Sequence, residues 1–327
     1  MQLRIATLVS LATAAALATA PDARAETFPS HPITIVVPFP AGGPTDTVAR
    51  ILAEPMRVAL GQAIIIENVT GAAGTIGTGK VARAAPTGYT LSVGFLGTHV
   101  LNGALYKLPY DVLQDFEPIA LLASNPQLIV AKLAMPATDL RELIGWLKAN
   151  PDKASLGTAG IGSPAHVTGV SFQNATGTRF ALVPYRGAAP AMQDLIGGQV
   201  DLMFDQASNS LPHVRNGKIK AYAVTATTRL ATAPEIPTVD EAGVPGFYAS
   251  VWTGMWAPKG TPSDVIGKLN AAVANALADP RVRQRFADLG QEIPPRDEQT
   301  PEALHAFQKA EIDKWWPIIK AAGITAE

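Results

Sequence analysis

Short apolar runs alternate with helical patterns along most of this chain, and this alternation limits the choice of fold more than any other feature of the sequence. The runs are continuous, as in ITIVV at residues 33–37, rather than apolar at every second residue. Continuous apolar strands that alternate with helices are typical of parallel sheets covered on both faces. The sequence therefore predicts an α/β protein.

The pattern predicts ten strands and eight helices. The strands are at residues 33–37, 64–67, 89–94, 119–123, 127–131, 154–157, 180–184, 199–204, 220–225 and 251–256. The helices are at residues 45–60, 75–84, 140–149, 164–175, 188–196, 263–278, 280–289 and 301–319. Ten strands exceed one comfortable twisted sheet, so two sheets in two lobes are the simpler arrangement.

We single out two predicted strands that no helix precedes, which is an unusual arrangement in a series of βαβ units. One comes after Ser124-Asn125-Pro126, and the other, in SVWTGMWAP, comes after a long loop. We interpret both as connections that cross between the lobes. Lobe one is then residues 26–125 together with 251–327, and lobe two is residues 126–250.

The first 25 residues predict an export signal. Arg4 precedes an apolar, alanine-rich run at residues 5–20, and Ala23-Arg24-Ala25 has the small-x-small pattern that precedes cleavage. We expect cleavage near Ala25. No later stretch has the roughly 18 consecutive apolar residues that a membrane span requires.

Composition excludes several other classes of protein. The chain has no cysteine, which rules out disulfides and thiolate metal sites. Its net charge is −1 without a long run of one sign, which argues against a nucleic-acid partner. The histidines lack a metal-ligand spacing, and GTIGTGKV at residues 74–81 lacks the Ser or Thr of a P-loop. Neither a metal nor a nucleotide cofactor is expected.

The stretch PFPAGGPTD, residues 38–46, ends the first strand and begins the first helix. Proline cannot continue a β-ladder, and the two glycines permit unusual backbone angles and the close approach of a ligand. Pro44 suits the first helical position, and Asp46 complements the helix dipole. We expect the N–H groups of this helix to face the crevice at the strand's carboxyl end, where anions bind. A tight turn without a ligand is the alternative.

A second stretch, LGTAGIGSPAHV at residues 156–167, has the same chemistry. Its glycine spacing resembles a dinucleotide fingerprint, but no acidic residue follows at the distance needed to bind a ribose. No nucleophile elbow surrounds Ser163, which suits the N-cap position before Pro164. His166 is either a hydrogen-bond donor to a ligand or a packed residue.

The third stretch is VPYRGAAPAMQDLIGGQVDLMFDQ, residues 183–206. Arg186 follows a strand, where it either binds a carboxylate through two parallel hydrogen bonds or forms a surface salt bridge. Asp205 ends the next strand, where it either binds a hydroxyl or amine of a ligand or caps the next helix.

Together these stretches resemble the Bug (TctC-like) family, the extracytoplasmic solute receptors of tripartite tricarboxylate transporters. Further matching pieces are IIIENVTGAAGTIGTGKVARAAPTGYTL, EIPTVDEAGVPGF and WAPKGTP, in the family's order. The resemblance implies a type II periplasmic binding protein, in which two lobes, each with a mainly parallel sheet flanked by helices, are joined by two crossing strands. It also implies a periplasmic location, a small carboxylate as ligand and a membrane permease as partner.

The resemblance further implies a set of ligand-binding residues in the cleft between the lobes. Lobe one supplies Phe39, Ala41, Gly42, Gly43, Asp46, Thr98 and His99, and lobe two supplies Thr158, Gly162, Ser163, His166, Arg186 and Asp205.

We therefore expect a monomeric receptor, without cofactors or catalysis, in which one helix N-terminus from each lobe binds the ligand. A dicarboxylate is the simplest ligand because an anion-binding turn is predicted in each lobe. One alternative is a periplasmic sensor that presents a carboxylate to a two-component kinase. Another is a periplasmic hydrolase or isomerase, which would need a nucleophile–base pair or a metal site, and the sequence shows neither.

Overall fold

The computed structural model describes residues 27–185 and 187–325, so the predicted export signal lies outside the described residues. The strands are β1 (Ile33–Val37), β2 (Ile64–Asn68), β3 (Thr90–Phe95), β4 (Phe116–Lys132), β5 (Ser155–Thr158), β6 (Ala181–Pro184), β7 (Leu202–Gln206), β8 (Ile219–Val224) and β9 (Ser250–Pro258). The α-helices are α1 (Pro44–Leu60), α2 (Thr75–Ala82), α3 (Asn102–Leu105), α4 (Leu140–Ala149), α5 (Pro164–Thr176), α6 (Ala188–Ile196), α7 (Ala207–Arg215), α8 (Ser263–Ala278), α9 (Pro280–Asp288) and α10 (Pro301–Ala321). Short 3₁₀-helices lie at Ala72–Gly74 and Arg296–Gln299, and a π-helix lies at Gly97–Leu101.

The strands form two sheets that share β4. The first sheet has the order β2-β1-β3-β9-β4, and the second has the order β8-β4-β7-β5-β6. β1 runs parallel to β2 and β3, and β5 runs parallel to β6 and β7. The ladders that involve β4 or β9 are antiparallel. The predicted α/β fold is confirmed, with mixed pairing where the long strands pass between the sheets.

β4 is one strand of 17 residues, and the prediction of two strands separated at Ser124-Asn125-Pro126 is wrong. Residues up to Pro126 pair with β9, and residues from Gln127 onward pair with β7 and β8. Pro126 occupies the last register position of the β9 ladder, opposite Ser250, where the missing N–H of proline is tolerated. The strand therefore continues through the proline while it exchanges one set of partners for another.

A second connection between the sheets lies beside β4. The chain leaves the second sheet after β8 at Thr225 and reaches β9 through Ala249. The N–H of Gln127 donates to Ala249 O at 3.2 Å and to Thr225 Oγ1 at 3.1 Å, and the N–H of Thr225 donates to Gln127 O at 2.9 Å. The two chain segments that join the sheets are thus tied to each other by backbone and side-chain hydrogen bonds.

Buried apolar side chains cover both faces of both sheets. Helices α1 and α8 pack on one face of the first sheet, and α10 packs on the other face against the indoles of Trp252 and Trp256. Helices α4 and α5 cover one face of the second sheet, and α6 and α7 cover the other. No helix within residues 27–185 and 187–325 is both long and apolar enough to cross a membrane.

Candidate ligand-binding site

A cavity of about 760 Å³ lies between the carboxyl ends of strands from the two sheets, with β4 and β9 at its floor. Residues that follow β1 and β3 form one wall, and residues that follow β5 and precede α6 form the other. Ligands of open α/β sheets bind at this end of the strands. The volume is within the range of roughly 300–1,000 Å³ that is usual for small-molecule sites.

The first turn, residues 38–44, connects β1 to α1 and contributes to the first wall. Gly42 has a φ of +83°, and its N–H donates to Asp46 Oδ2 at 2.7 Å. The same carboxylate accepts from Arg50 Nε at 2.8 Å and from Asn68 Nδ2 at 2.9 Å. Burial alone would raise the pKa of Asp46, but these hydrogen bonds and the Arg50 charge hold that pKa below its ordinary value. Asp46 is therefore an ionised anchor of the turn.

The second turn, residues 159–164, connects β5 to α5 and repeats this geometry. Gly162 has a φ of +72°, and its N–H donates to His166 Nδ1 at 3.1 Å. Ser163 is the N-cap, and its Oγ accepts from the N–H of His166 at 3.3 Å. Burial lowers the pKa of His166, which keeps the imidazole neutral and Nδ1 available as an acceptor.

The next free N–H groups along these helices belong to residues that line the cavity. Thr45 and Ala165 are the second helical residues of α1 and α5, and both line the cavity. Within residues 27–185 and 187–325, their N–H groups have no hydrogen-bond acceptor, as expected for the first turn of a helix. A third helix, α6, also begins at the cavity, where Gly187 and Ala188 line the wall. Three helix N-termini, one from the first sheet and two from the second, therefore open on one space.

Asp205 lies at the end of β7 and lines the cavity. Its Oδ2 accepts from Ser210 Oγ at 2.6 Å and from Asn209 Nδ2 at 2.8 Å, both in α7. Burial raises the pKa of Asp205 to about 6, although these two hydrogen bonds act in the opposite direction. The N-cap of α7 is Gln206 and has no side-chain cap, so these side-chain bonds are not the cap that the sequence offered as an alternative.

The rest of the wall is aromatic and the floor is polar. Phe39 and Phe95 meet edge to face with ring centroids 5.2 Å apart, and both line the cavity. Gln127 on β4 and Gln291, which follows α9, line the floor near Thr253 of β9. Sequence reasoning did not find Phe95 or either glutamine, because no local motif marks them.

The residues implied by the resemblance divide into two groups in the structure. Phe39, Gly43, Gly162, Ser163 and Asp205 line the cavity. Ala41, Gly42, Asp46, Thr98, His99, Thr158 and His166 do not line it. Arg186 lies outside the described residues. A contact with a ligand stays a prediction for every one of these residues.

Thr98 and His99 are buried behind the wall rather than exposed on it. The imidazole of His99 stacks on the indole of Trp256 with centroids 3.8 Å apart, and His99 Nδ1 lies 2.9 Å from Thr98 Oγ1. Burial lowers the pKa of His99 to about 3, so the ring is neutral in the folded protein. Thr98 contacts the lining residue Phe95, whose N–H donates to Thr98 Oγ1 at 3.1 Å.

Two α/β sheets that share crossing strands and enclose a cavity at their carboxyl ends define a solute-binding protein of the periplasmic type. Residues 48–324 match the family described as the tripartite tricarboxylate transporter family receptor, TctC. The chain belongs to this family, whose members are solute-binding receptors and not enzymes.

Solved structures of similar proteins agree with this assignment. The periplasmic binding protein BugD is 46% identical, with 91% of this chain and 100% of that chain covered and a TM-score of 0.78. MatC from Rhodopseudomonas palustris with bound malate is 43% identical, with 89% and 100% covered and a TM-score of 0.78. Rpa4515 from R. palustris with adipate is 33% identical, with 91% and 100% covered and a TM-score of 0.80.

Proposed function

We propose that this chain captures a small dicarboxylate in the cavity between its sheets and delivers it to the permease of a tripartite tricarboxylate transporter. In this proposal, residues 26–125 with 251–327 form one lobe and residues 126–250 form the other. The protein acts in the periplasm after residues 1–25 are removed, and no bond of the ligand is made or broken.

The observation that carries the proposal is the convergence of α1, α5 and α6, whose N-terminal residues line one cavity from opposite walls. The N-terminus of a helix binds an anion through its N–H groups and its dipole, which contributes up to about 2 kcal/mol in a partly buried site. Because the donors come from both walls, a ligand with a carboxylate at each end satisfies more of them than a monocarboxylate does.

The other lining residues fit the same ligand. Asp205 is the charged residue among the described residues that line the cavity, so the donors that these residues offer to a carboxylate are neutral. The aromatic pair Phe39 and Phe95 offers an apolar surface to the carbon chain between the two ends. The malate of MatC and the adipate of Rpa4515 are dicarboxylates, which supports the same class of ligand for this chain.

A thermal-shift series tests the ligand class. Succinate, glutarate, adipate, the monocarboxylate butyrate and a neutral sugar are added separately to the purified mature protein. A dicarboxylate at about 100 times its dissociation constant adds about 2.7 kcal/mol to the free energy of unfolding. We expect at least one dicarboxylate to stabilise the protein more than butyrate does. Stabilisation by the sugar, without a response to any acid, would refute the proposal.

Uptake measurements test the delivery step. A strain that lacks this chain should lose accumulation of the labelled dicarboxylate identified by thermal shift, and a plasmid copy of the chain should restore it. Normal uptake in the deletion strain, together with a lost transcriptional response to the same acid, would instead support the sensor alternative.

A further inference from the structure

The mouth of the cavity consists of the lining residues that are exposed to solvent. In the described part of the chain these residues are Pro40, Pro44, Ala73, Ile161, Ala189 and Pro190. Each of the six side chains is apolar and uncharged. Solvent therefore meets an apolar surface at the place where an anionic ligand would enter and leave.

The mouth has a lip on each side of the cavity. The first lip lies at the starts of α1 and α2, and the second lip lies at the starts of α5 and α6. Although 16% of all residues in the chain are charged, the segments that form the lips have no Lys, Arg, Asp or Glu at residues 27–45, 69–79, 154–178 and 187–193. The neutral character of the mouth thus extends beyond the six side chains themselves.

An exposed isoleucine extends the first lip outside the cavity. Ile76, in the first turn of α2, is 54% exposed and does not line the cavity. A Cβ atom on Gly71 would lie 2.7 Å from Ile76 Cδ1, so the isoleucine side chain lies over the turn that carries Ala73. Ile161, on the second lip, is also 54% exposed. Because Ile76 is outside the cavity, contact with the ligand does not explain its exposure.

The backbone of the first lip has an unfavourable conformation. Ala72 and Ala73 have φ values of +43° and +51°, which residues with a Cβ atom rarely adopt, and both are exposed. Asn102 Nδ2 donates to Ala73 O at 3.0 Å and fixes this turn to the wall of the cavity. Backbone strain of this kind is concentrated at functional sites.

The chemistry of the mouth fits a protein surface better than a membrane or a second copy of this chain. Binding to a membrane surface depends on Trp, Phe or Leu side chains together with basic residues, and the six residues supply neither. A second copy seated mouth to mouth would close both cavities to ligand. Exposed apolar patches depleted of charge are typical of protein–protein interfaces, and prolines lose little conformational freedom when such an interface forms.

We propose that the mouth, together with Ile76, docks on the periplasmic face of the permease, against an uncharged, apolar surface of that protein. This inference rests on the proposed function. Because the mouth surrounds the exit of the cavity, a partner seated on it receives the ligand directly. A partner in contact with both lips also favours one separation of the lobes over another, which couples docking to release.

The first experiment separates docking from ligand binding. Ile76→Glu places a charge on the first lip outside the cavity. Val58→Glu is the matched control, because Val58 is 68% exposed and lies about 20 Å along α1 from Pro44. Calorimetry should give both variants an affinity for the dicarboxylate within about twofold of wild type. At equal periplasmic amounts in the deletion strain, Ile76→Glu should restore less than about a tenth of wild-type uptake, and Val58→Glu should restore it fully.

Wild-type uptake with Ile76→Glu, or an equal loss with Val58→Glu, would overturn this inference and leave the proposed function intact. Normal uptake in the deletion strain itself would overturn the delivery step of the proposed function, and this inference with it.

The second experiment identifies what covers the mouth. Because the chain has no cysteine, Ile76→Cys, Ala189→Cys and Val58→Cys each carry a single attachment point for a benzophenone crosslinker. The labelled proteins are irradiated with saturating dicarboxylate and membranes that contain the transporter, and the products are identified by mass spectrometry. We expect crosslinks to a permease subunit from the positions of Ile76 and Ala189, one on each lip, and none from that of Val58.

Crosslinks from the mouth to a second copy of this chain or to lipid, without a permease product, would overturn the inference, and so would the absence of any permease product. If Ile76→Glu does not fold, as judged by its circular dichroism and melting temperature, the crosslinking series decides.

Discussion

The first and second turns have the same backbone geometry but different side chains as hydrogen-bond acceptors. Gly42 and Gly162 both have a positive φ and both donate their N–H to a side chain four residues later. That side chain is the carboxylate of Asp46 in the first turn and the neutral imidazole of His166 in the second. The comparison teaches that the geometry of the turn requires an acceptor at this spacing but does not require a charge.

The charge of Asp46 gives the first turn side-chain partners that the second turn does not have. The Asp46 carboxylate needs the Arg50 guanidinium and the Asn68 amide, whereas the second turn has a side-chain N-cap, Ser163, that the first lacks. Asp46 and His166 each accept the N–H of the glycine four residues earlier, so that N–H is not available to a ligand. The donors left for a ligand are therefore the N–H groups at the start of the helices, such as that of Thr45.

The turns also differ in the space around their positive-φ glycines, Gly42 and Gly162. A Cβ atom on Gly162 would lie 2.5 Å from Leu105 Cδ1, whereas a Cβ atom on Gly42 would meet nothing within 4 Å. Leu105 belongs to α3, at the end of the segment that follows β3, so the second turn contacts the opposite wall of the cavity.

The largest effect is expected for Gly43→Leu, which should weaken binding of the dicarboxylate at least about 100-fold, or about 2.7 kcal/mol. Gly43 has a φ of −75° and lines the cavity, so a side chain is compatible with the backbone and occupies the space of the ligand. Gly145→Leu in α4 is the control, because a Cβ atom there has open space. Calorimetry measures both affinities, and wild-type affinity in Gly43→Leu would exclude the first turn from the site.

The anchors should differ in their effect on stability. Asp46→Ala removes the acceptor of three hydrogen bonds and should lower the free energy of unfolding by about 2 kcal/mol. His166→Ala removes the acceptor of one and should lower it by about 1 kcal/mol. Urea unfolding at pH 7.5 measures both values. Equal losses would show that the added partners of Asp46 contribute nothing to stability.

The contact with Leu105 separates the two glycines. Gly42→Ala and Gly162→Ala both place an alanine at a positive φ, at a cost of about 1–2 kcal/mol in stability. Only Gly162→Ala should also weaken binding, by about tenfold, because its Cβ atom displaces Leu105 and opens the cavity. Adding Leu105→Ala to Gly162→Ala should restore part of that affinity in calorimetry. Equal affinities of the two single variants would argue against a role for this contact.

Local signals account for what the sequence predicted correctly. Pro44 and Pro164 at first helical positions, each after glycines, identified both turns, and the bounds of α4, α6 and α8 were predicted without error. The turns are recognisable because proline and glycine act on the backbone within a few residues.

Long-range contacts account for what the sequence did not predict. Gln127 and Gln291 are 164 positions apart in the chain, and both line the cavity because the segment after α9 pairs with β4 at Ser124. Thr98 and His99 follow a strand end, as ligand-binding residues often do, but both are fully buried, and His99 stacks on Trp256. Neither fact has a signature in neighbouring residues.

The two anchors should titrate in different ranges of pH. Burial lowers the pKa of His166 in the folded state, so the unfolded chain binds more protons below about pH 6.5 and the contribution of His166 to stability falls as the pH falls. The lowered pKa of Asp46 means that its contribution is present above about pH 4 and is lost only below it.

Urea unfolding from pH 8 to pH 3.5 checks this difference. The stability gap between wild type and His166→Gln should change between pH 7 and pH 5, whereas the gap for Asp46→Asn should stay constant there and change below about pH 4. His99, which also has a lowered pKa, is present in all three proteins and cancels from the gaps. If the stability gaps of the two variants changed over the same range of pH, the expected difference between the pKa values of Asp46 and His166 would be refuted.

The smallest effect is expected from exchanging the two N-caps. Ser163→Gly removes the Oγ that accepts from the N–H of His166, and Gly43→Ser supplies such an oxygen to α1. Replacement of a serine N-cap by glycine changes stability by only a few tenths of a kcal/mol, because the glycine leaves the helix N–H groups open to water. We therefore expect a small loss for Ser163→Gly and a small gain for Gly43→Ser in urea unfolding. A loss above about 1 kcal/mol for Ser163→Gly would show that the second turn depends on its serine for shape, and that the glycine and the acceptor four residues later are not sufficient to form it.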